Sequence, residues 1–168
     1  IVRSLVGSEM CIRDRNNGMD AFDHHILRAL QNNSRISSEV LGAEIGLSPS
    51  ACQRRIKKLK QQGVIKQEVA VLDASQLPGF ITTLVDITLE RGGEAALDEF
   101  IHALEAEPQV QQFYYVAGDV DFVVIVVTQD MKAYDSLSRR LFMSNQNIKK
   151  FSTKVVIQPG KVGLELPV

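Results

Sequence analysis

Ser50, Gln53, Arg54, Lys57 and Gln61 fall on one side of a helix drawn through residues 48–62, and Cys52, Ile56 and Leu59 fall on the other. Hydroxyl, amide and guanidinium groups lined along one helical face are what hydrogen bonding to base edges in a major groove requires. Arg55, Lys58 and Lys60 flank that face, where cations would meet phosphates. Taken alone, such a face is more simply read as a solvated basic surface. Its setting changes the balance, because a short capped helix and a tight turn precede it. Ser48, just ahead of the helix, joins Ser50, Gln53, Arg54, Arg55, Lys57 and Lys58 as candidate DNA-contacting residues.

Three helices must position that face. Phe22, Ile26, Leu27 and Leu30 recur at helical spacing, with Asp20 placed to cap the start and Asn32, Asn33 and Ser34 to break the run. Ser37 is placed to cap a second, short helix with Val40, Leu41 and Ile45 facing inward. Gly46, Leu47 and Ser48 make the turn, Ser48-Pro49 starts the third helix, and Gly63 supplies its left-handed stop. Residues 64–72 alternate weakly and predict a strand or hairpin leading out of the head. The turn chemistry of residues 73–79 marks the domain join.

Beyond the join the pattern reads strand 80–90, helix from Gly92-Gly93 through Glu105, strand 110–116, turn 118–121, strand 122–128, helix 131–143 and strand 154–158. The order βαββαβ is that of a ferredoxin-like antiparallel sheet carrying two helices on one face. The fold class is therefore α+β: an N-terminal helix-turn-helix (winged-helix-like) domain over 19–66, a connecting strand and linker over 67–79, a ferredoxin-like domain over 80–160, and a tail over 161–168. The strand 122–128 is nearly all apolar, so its sheet is expected to need cover on both faces, with a second subunit on the face away from the helices.

Charge follows the same division. Residues 19–66 carry a local charge of +4 and residues 67–168 one of −6, although the whole chain is at −1. A basic head on an acidic body suits a polyanion binder whose remainder does something else. No run approaches the roughly 18 apolar residues that span a bilayer, so no membrane role is expected. Cys11 and Cys52 offer neither a disulfide framework nor metal spacing, which suits a reduced, cytoplasmic protein. Cys52 reads as a small buried hydrophobe, and His24, His25 and His102 as solvated helix residues with no metal-ligand register. Glu105 and Glu107 read as solvated surface at a helix end, and Gly92-Gly93 lacks the spacing and lysine of a phosphate loop. No enzyme activity, cofactor or metal is expected. Residues 1–18 are set apart: their first part resembles translated adapter read-through, with a disordered tail as the alternative, and the native start is expected at Met19.

The residues also carry a resemblance. Asp23, Ile26, Leu27, Leu30 and Arg35-Ile36-Ser37 are similar to the Lrp/AsnC (leucine-responsive/asparagine-synthesis, feast/famine) regulator family. So are Ile45 through Pro49, Arg55 through Leu59, Gly63-Val64-Ile65, Gly118 through Phe122, Met131 through Tyr134 and Thr153 through Val156. The resemblance runs through residues 20–160 in order. It implies a homodimer that assembles further, binds double-stranded DNA through its head and senses a small effector, an amino acid first of all. It also implies that Gly118, Asp119 and Asp121 lie near the dimer interface and the effector pocket, with Thr153 near the same pocket. Amides at a glycine turn can hold a carboxylate and a free carboxylate can accept an ammonium, the two groups of an amino acid. Asp121 either touches such a ligand or serves the turn alone. Residues 144–147 lack the Pro-Gly pair frequent there in the family, which leaves effector preference open. The competing expectation is an amino-acid-binding oligomeric module that has lost DNA binding.

Overall fold

The computed structural model describes residues 18–73, 76–77, 79–90 and 93–168. The expectation placed on the N-terminal segment lies, for residues 1–17, outside these. The chain divides into two units: a head, to Ala70 with Gly163–Val168 added, and a body, Val71–Val162.

In the head, α1 (Ala21–Asn32), α2 (Ser38–Ile45) and α3 (Pro49–Gln61) each begin at a side-chain cap. Asp20 accepts from the Asp23 amide and Asp23 answers to the Asp20 amide, a reciprocal capping box. Ser37 caps α2 and Ser48, followed by Pro49, caps α3. Gly46 at φ 74° ends α2 in the left-handed region that glycine enters without steric conflict. Gly42 matters as much, since a Cβ there would stand 2.4 Å from the Leu47 carbonyl oxygen. The Leu47 amide bonds back to the Gly42 carbonyl, so the turn folds down on the helix at the one residue with no side chain to obstruct it. Ile26, Leu41, Cys52 and Leu59 form the fully buried centre, with Leu30, Ile36, Ile45, Leu47, Ile56, Val64 and Ile65 around it.

One inward assignment is corrected. Val40 is 51% exposed, because the short α2 buries Leu41 and Gly42 instead. Phe22 is 38% exposed and lies over a guanidinium rather than in the core. The strand expected over residues 64–72 does not form: Val64 and Ile65 turn back to bond the Leu59 carbonyl, and residues 66–73 are irregular. With no partner strand beside it among the described residues, weak alternation finds no ladder.

The body follows the order β1 (Ile81–Leu89), α4 (Glu94–Ala106), β2 (Val110–Tyr115), β3 (Phe122–Thr128), α5 (Met131–Ser138) and β4 (Ile148–Val155). The sheet order is β2-β3-β1-β4 and each pairing is antiparallel, as the ferredoxin-like arrangement demands. A π turn, Arg139–Met143, prolongs α5. The last strand lies earlier than the expected 154–158, because β1 pairs with it from Leu89↔Ile148 to Thr83↔Val155. Phe122, Val124, Val126 and Thr128 are buried on the helix side of β3, while Val123, Ile125 and Val127 alternate onto the other face and stay half-buried. Phe100 of α4 meets Phe122 edge-to-face at 5.3 Å, tying the first helix to the central strands. Glu107 is not solvated surface. It is 8% exposed, and the Arg140 guanidinium lies 2.6 Å from its carboxylate, because the π turn carries Arg140 back over the end of α4.

Candidate nucleic-acid interface and effector loop

On α3, Cys52 and Leu59 are buried, whereas Ser50, Gln53, Arg54, Lys57, Lys58 and Gln61 are exposed. Ser48 spends one lone pair on the Ala51 amide at 3.3 Å and sits 3.2 Å from the Ser50 hydroxyl. The start of α3 therefore offers two hydroxyls beside the open amides of a helix N-terminus, an arrangement that suits a phosphate. Gln53, Arg54 and Lys57 project outward within the following turns, with donors for base edges and phosphates alike.

Arg55 differs from its neighbours. Its guanidinium lies 2.8 Å from Asp23 and 2.9 Å from Asp20, and 5.6 Å above the centre of the Phe22 ring. The bonds it donates to Asp23 and then Asp20 hold its pKa above the ordinary arginine value. The Asp23 amide holds the Asp20 carboxyl below its ordinary value against an opposing desolvation, with Arg55 adding to the lowering. Both carboxylates belong to the capping box of α1, so Arg55 fastens α3 to the first turn of α1. Sequence reasoning grouped Arg55 with the phosphate-facing cations. The signal that separates it is its spacing, three residues after Cys52 and four before Leu59, which turns it toward the inner side of the helix. Lys60 is likewise engaged, at 2.8 Å from Glu68.

The four expected effector residues fall into two places. Gly118 and Asp119 are exposed in the β2–β3 loop, which the Val116 amide closes on the Asp121 carbonyl at 2.8 Å. Gly118 has no left-handed backbone and a Cβ there would meet open space, so nothing in the body requires glycine at this position. Asp121 stands at the base of the loop. Its amide donates to the Ile87 carbonyl at 2.9 Å and its Oδ2 accepts the Leu89 amide at 2.7 Å, so the side chain completes the ladder at the end of β1. Thr153 is two strands away, roughly 10 Å across the sheet. It pairs with Val85, shares that residue's helix-facing side, and its hydroxyl bonds the Tyr134 phenol of α5. Burial raises the Tyr134 pKa above its ordinary value, with the Thr153 bond pulling the other way. One protomer thus groups Gly118, Asp119 and Asp121 and leaves Thr153 apart. Among the described residues no group of three or more His, Cys, Asp or Glu side chains could hold a metal, and no helix is long and apolar enough to cross a membrane.

A helix-turn-helix head whose third helix exposes a polar and basic face, in one chain with a four-stranded ferredoxin-like unit, defines the class: a DNA-binding transcriptional regulator. The AsnC-type helix-turn-helix domain matches residues 19–60, and the Lrp/AsnC ligand binding domain matches residues 82–163. A leucine-responsive regulatory protein of Haemophilus influenzae is 34% identical over 149 residues, 89% of this chain and 90% of that protein. The crystal structure of an AsnC family transcriptional regulator from Agrobacterium tumefaciens superposes with a TM-score of 0.81 at 34% identity, covering 89% of this chain and 97% of that one. A Neisseria meningitidis transcriptional regulator solved in complex with L-Met shares the fold at a TM-score of 0.81 and 24% identity, covering 89% of this chain and 96% of that one. The chain belongs to the Lrp/AsnC family of transcriptional regulators.

Proposed function

We propose that the chain works in the cytoplasm as a homodimer, extending to larger assemblies, that sets one α3 in each of two DNA half-sites and responds to an amino acid. The observation that carries the DNA part is the division of α3: Ser50, Gln53, Arg54 and Lys57 lie exposed while Arg55 is tied to α1. A single helix-turn-helix covers only a half-site, so two-fold pairing of copies is the economical route to a specific operator. The sheet face bearing Leu84, Val123, Ile125 and Tyr114, half-buried or exposed and away from the two helices, supports pairing there.

Gel-shift titration against the chain's own upstream region tests the reading. Arg54→Ala should cost about 1–3 kcal/mol and relax sequence preference. Lys58→Ala should weaken all sequences alike and lower the salt slope by about one. Absence of any binding by the full chain would favour the module that senses without DNA.

The effector part rests on the loop. The names of the Haemophilus and Neisseria proteins point to leucine and methionine for those proteins, and amino acids share an ammonium and a carboxylate. Gly118 and Asp119 offer open backbone for the carboxylate. Asp121 Oδ1, which has no partner among the described residues, offers an acceptor for the ammonium. A ligand there adjoins β1 and β3, the central strands of the face on which copies would pair, and can shift assembly by its differential affinity for the two states. Calorimetric titration of the twenty amino acids, repeated on Gly118→Ala, tests this. The variant should fold unchanged and bind the effector at least tenfold more weakly. Equal binding would remove the loop from the site.

A further inference from the structure

After β4 the chain leaves the sheet, the Val156 amide making a last bond to the Thr82 carbonyl, and residues 163–168 return to the head unit. Their contacts there are specific in geometry and indifferent to side-chain type. The Gln31 carboxamide of α1 pairs with Leu166 in both directions: Nε2 donates to the Leu166 carbonyl at 3.1 Å, and the Leu166 amide donates to Oε1 at 2.7 Å. A primary amide used this way stands in for one residue of a neighbouring strand. Three residues earlier, on the same face of α1, Arg28 donates Nε at 3.0 Å and Nη2 at 2.7 Å to the Val168 backbone oxygen. Two side chains at i and i+3 therefore hold the segment by its backbone, which turns at its end where the Val168 amide donates to the Leu166 carbonyl at 2.9 Å, while Leu164 and Leu166 remain 74% and 68% exposed. Neither the core of the head nor the exposed face of α3 uses Arg28 or Gln31.

From this geometry we infer that residues 163–168 form a strap that docks in cis on the Arg28–Gln31 face of α1 and restrains the motion of the head. The bonds are exposed, and a free peptide making them would bind weakly. The segment is part of the same chain, which raises its effective concentration at α1 to the order of millimolar, so weak bonds suffice and remain easy to release. A unit held only at Ala70 could turn about that one connection. Held again at residues 163–168, it loses part of that freedom.

Cross-linking tests the docking without recourse to DNA. In the full chain carrying Cys11→Ser, with the buried Cys52 left in place, Gln31→Cys and Leu166→Cys are joined by a short bismaleimide. Denaturing electrophoresis should show a product of monomer mass, absent from either single variant. A product of dimer mass would mean that the strap docks on another copy, and no product would mean that it does not dock; either overturns the proposal. Restraint is read from a dye on Ala43→Cys, an exposed site on α2, by time-resolved anisotropy. Gln31→Ala, and separately a chain ending at Val162, should increase the fast local rotation of the dye at least twofold. Amide exchange at Leu166 in Gln31→Ala should rise about tenfold. Unchanged rotation in both variants, or unchanged exchange, would overturn it.

Discussion

Replacing Arg55 by alanine should damage the head before it damages any contact with DNA. The guanidinium spans Asp20 and Asp23, and the Asp23 side chain is only 6% exposed while that of Arg55 is 27% exposed. Removing one partner of a fully buried pair costs about 3–5 kcal/mol, and exposed pairs are worth about 0.2–1 kcal/mol. The Arg55–Asp23 pair lies between these limits, so about 2 kcal/mol is expected, or roughly 30-fold in the unfolding equilibrium of the head. Asp20 adds nothing to that figure, since its carboxylate faces solvent. The assay pairs urea unfolding of the helical signal with DNA titrations at several salt concentrations. Arg55→Ala should lower the urea midpoint and leave the salt slope of the remaining folded protein unchanged. Arg54→Ala should do the reverse, holding the midpoint and weakening binding. Arg55→Lys should recover only part of the stability, because a single ammonium cannot fork across two carboxylates. An unchanged midpoint for Arg55→Ala, with a salt slope smaller by about 0.9 per head, would refute the argument and return Arg55 to the phosphate contacts.

Gly42→Ala should destabilise the head by about 1–3 kcal/mol, since its Cβ meets the Leu47 carbonyl oxygen and the turn must shift; a melting curve identical to the parent would contradict the close approach. Acid should loosen the head within a defined window. The Asp23 amide and Arg55 depress the Asp20 pKa, and the Glu39 backbone amide and Ser37 hydroxyl depress that of Glu39. Their contribution is complete above the ordinary values of 3.8 and 4.5 and is lost as pH falls through the lower folded values. The urea midpoint of the head should therefore hold to about pH 5 and drop below about pH 4, and a steady decline starting near neutrality would point to other groups. In the body, burial raises the Tyr134 pKa above 10.0, so its share of stability is present below that value and is lost as pH climbs through the folded one. Phenolate absorbance should show a component titrating above the ordinary tyrosine value, and Tyr134→Phe should remove it.

Short-range chemistry was written plainly in the sequence. Asp20, Ser37 and Ser48 cap helices, and Gly46 and Gly63 end them, because each acts on amides or dihedrals within a few residues of itself. The apolar run of β3 and the βαββαβ order were legible for the same reason, and with them the class of the protein and the polar face of α3. Residues whose role depends on a distant partner were misread or passed over. Arg55 has the composition of a phosphate contact, and only the approach of α3 to the start of α1 gives it two carboxylates. Glu107 looks like surface until the π turn brings Arg140 over it. Only the antiparallel register shows that within one chain Thr153 lies beside Tyr134, across β1 from the Gly118 loop. Residues 64–72 have strand-like alternation and form no strand, because a strand needs a neighbour and none lies there among the described residues. A cap or a glycine turn is settled within one helical turn of chain. An ion pair across 32 residues or a register across 68 is settled only when packing has chosen which segments meet.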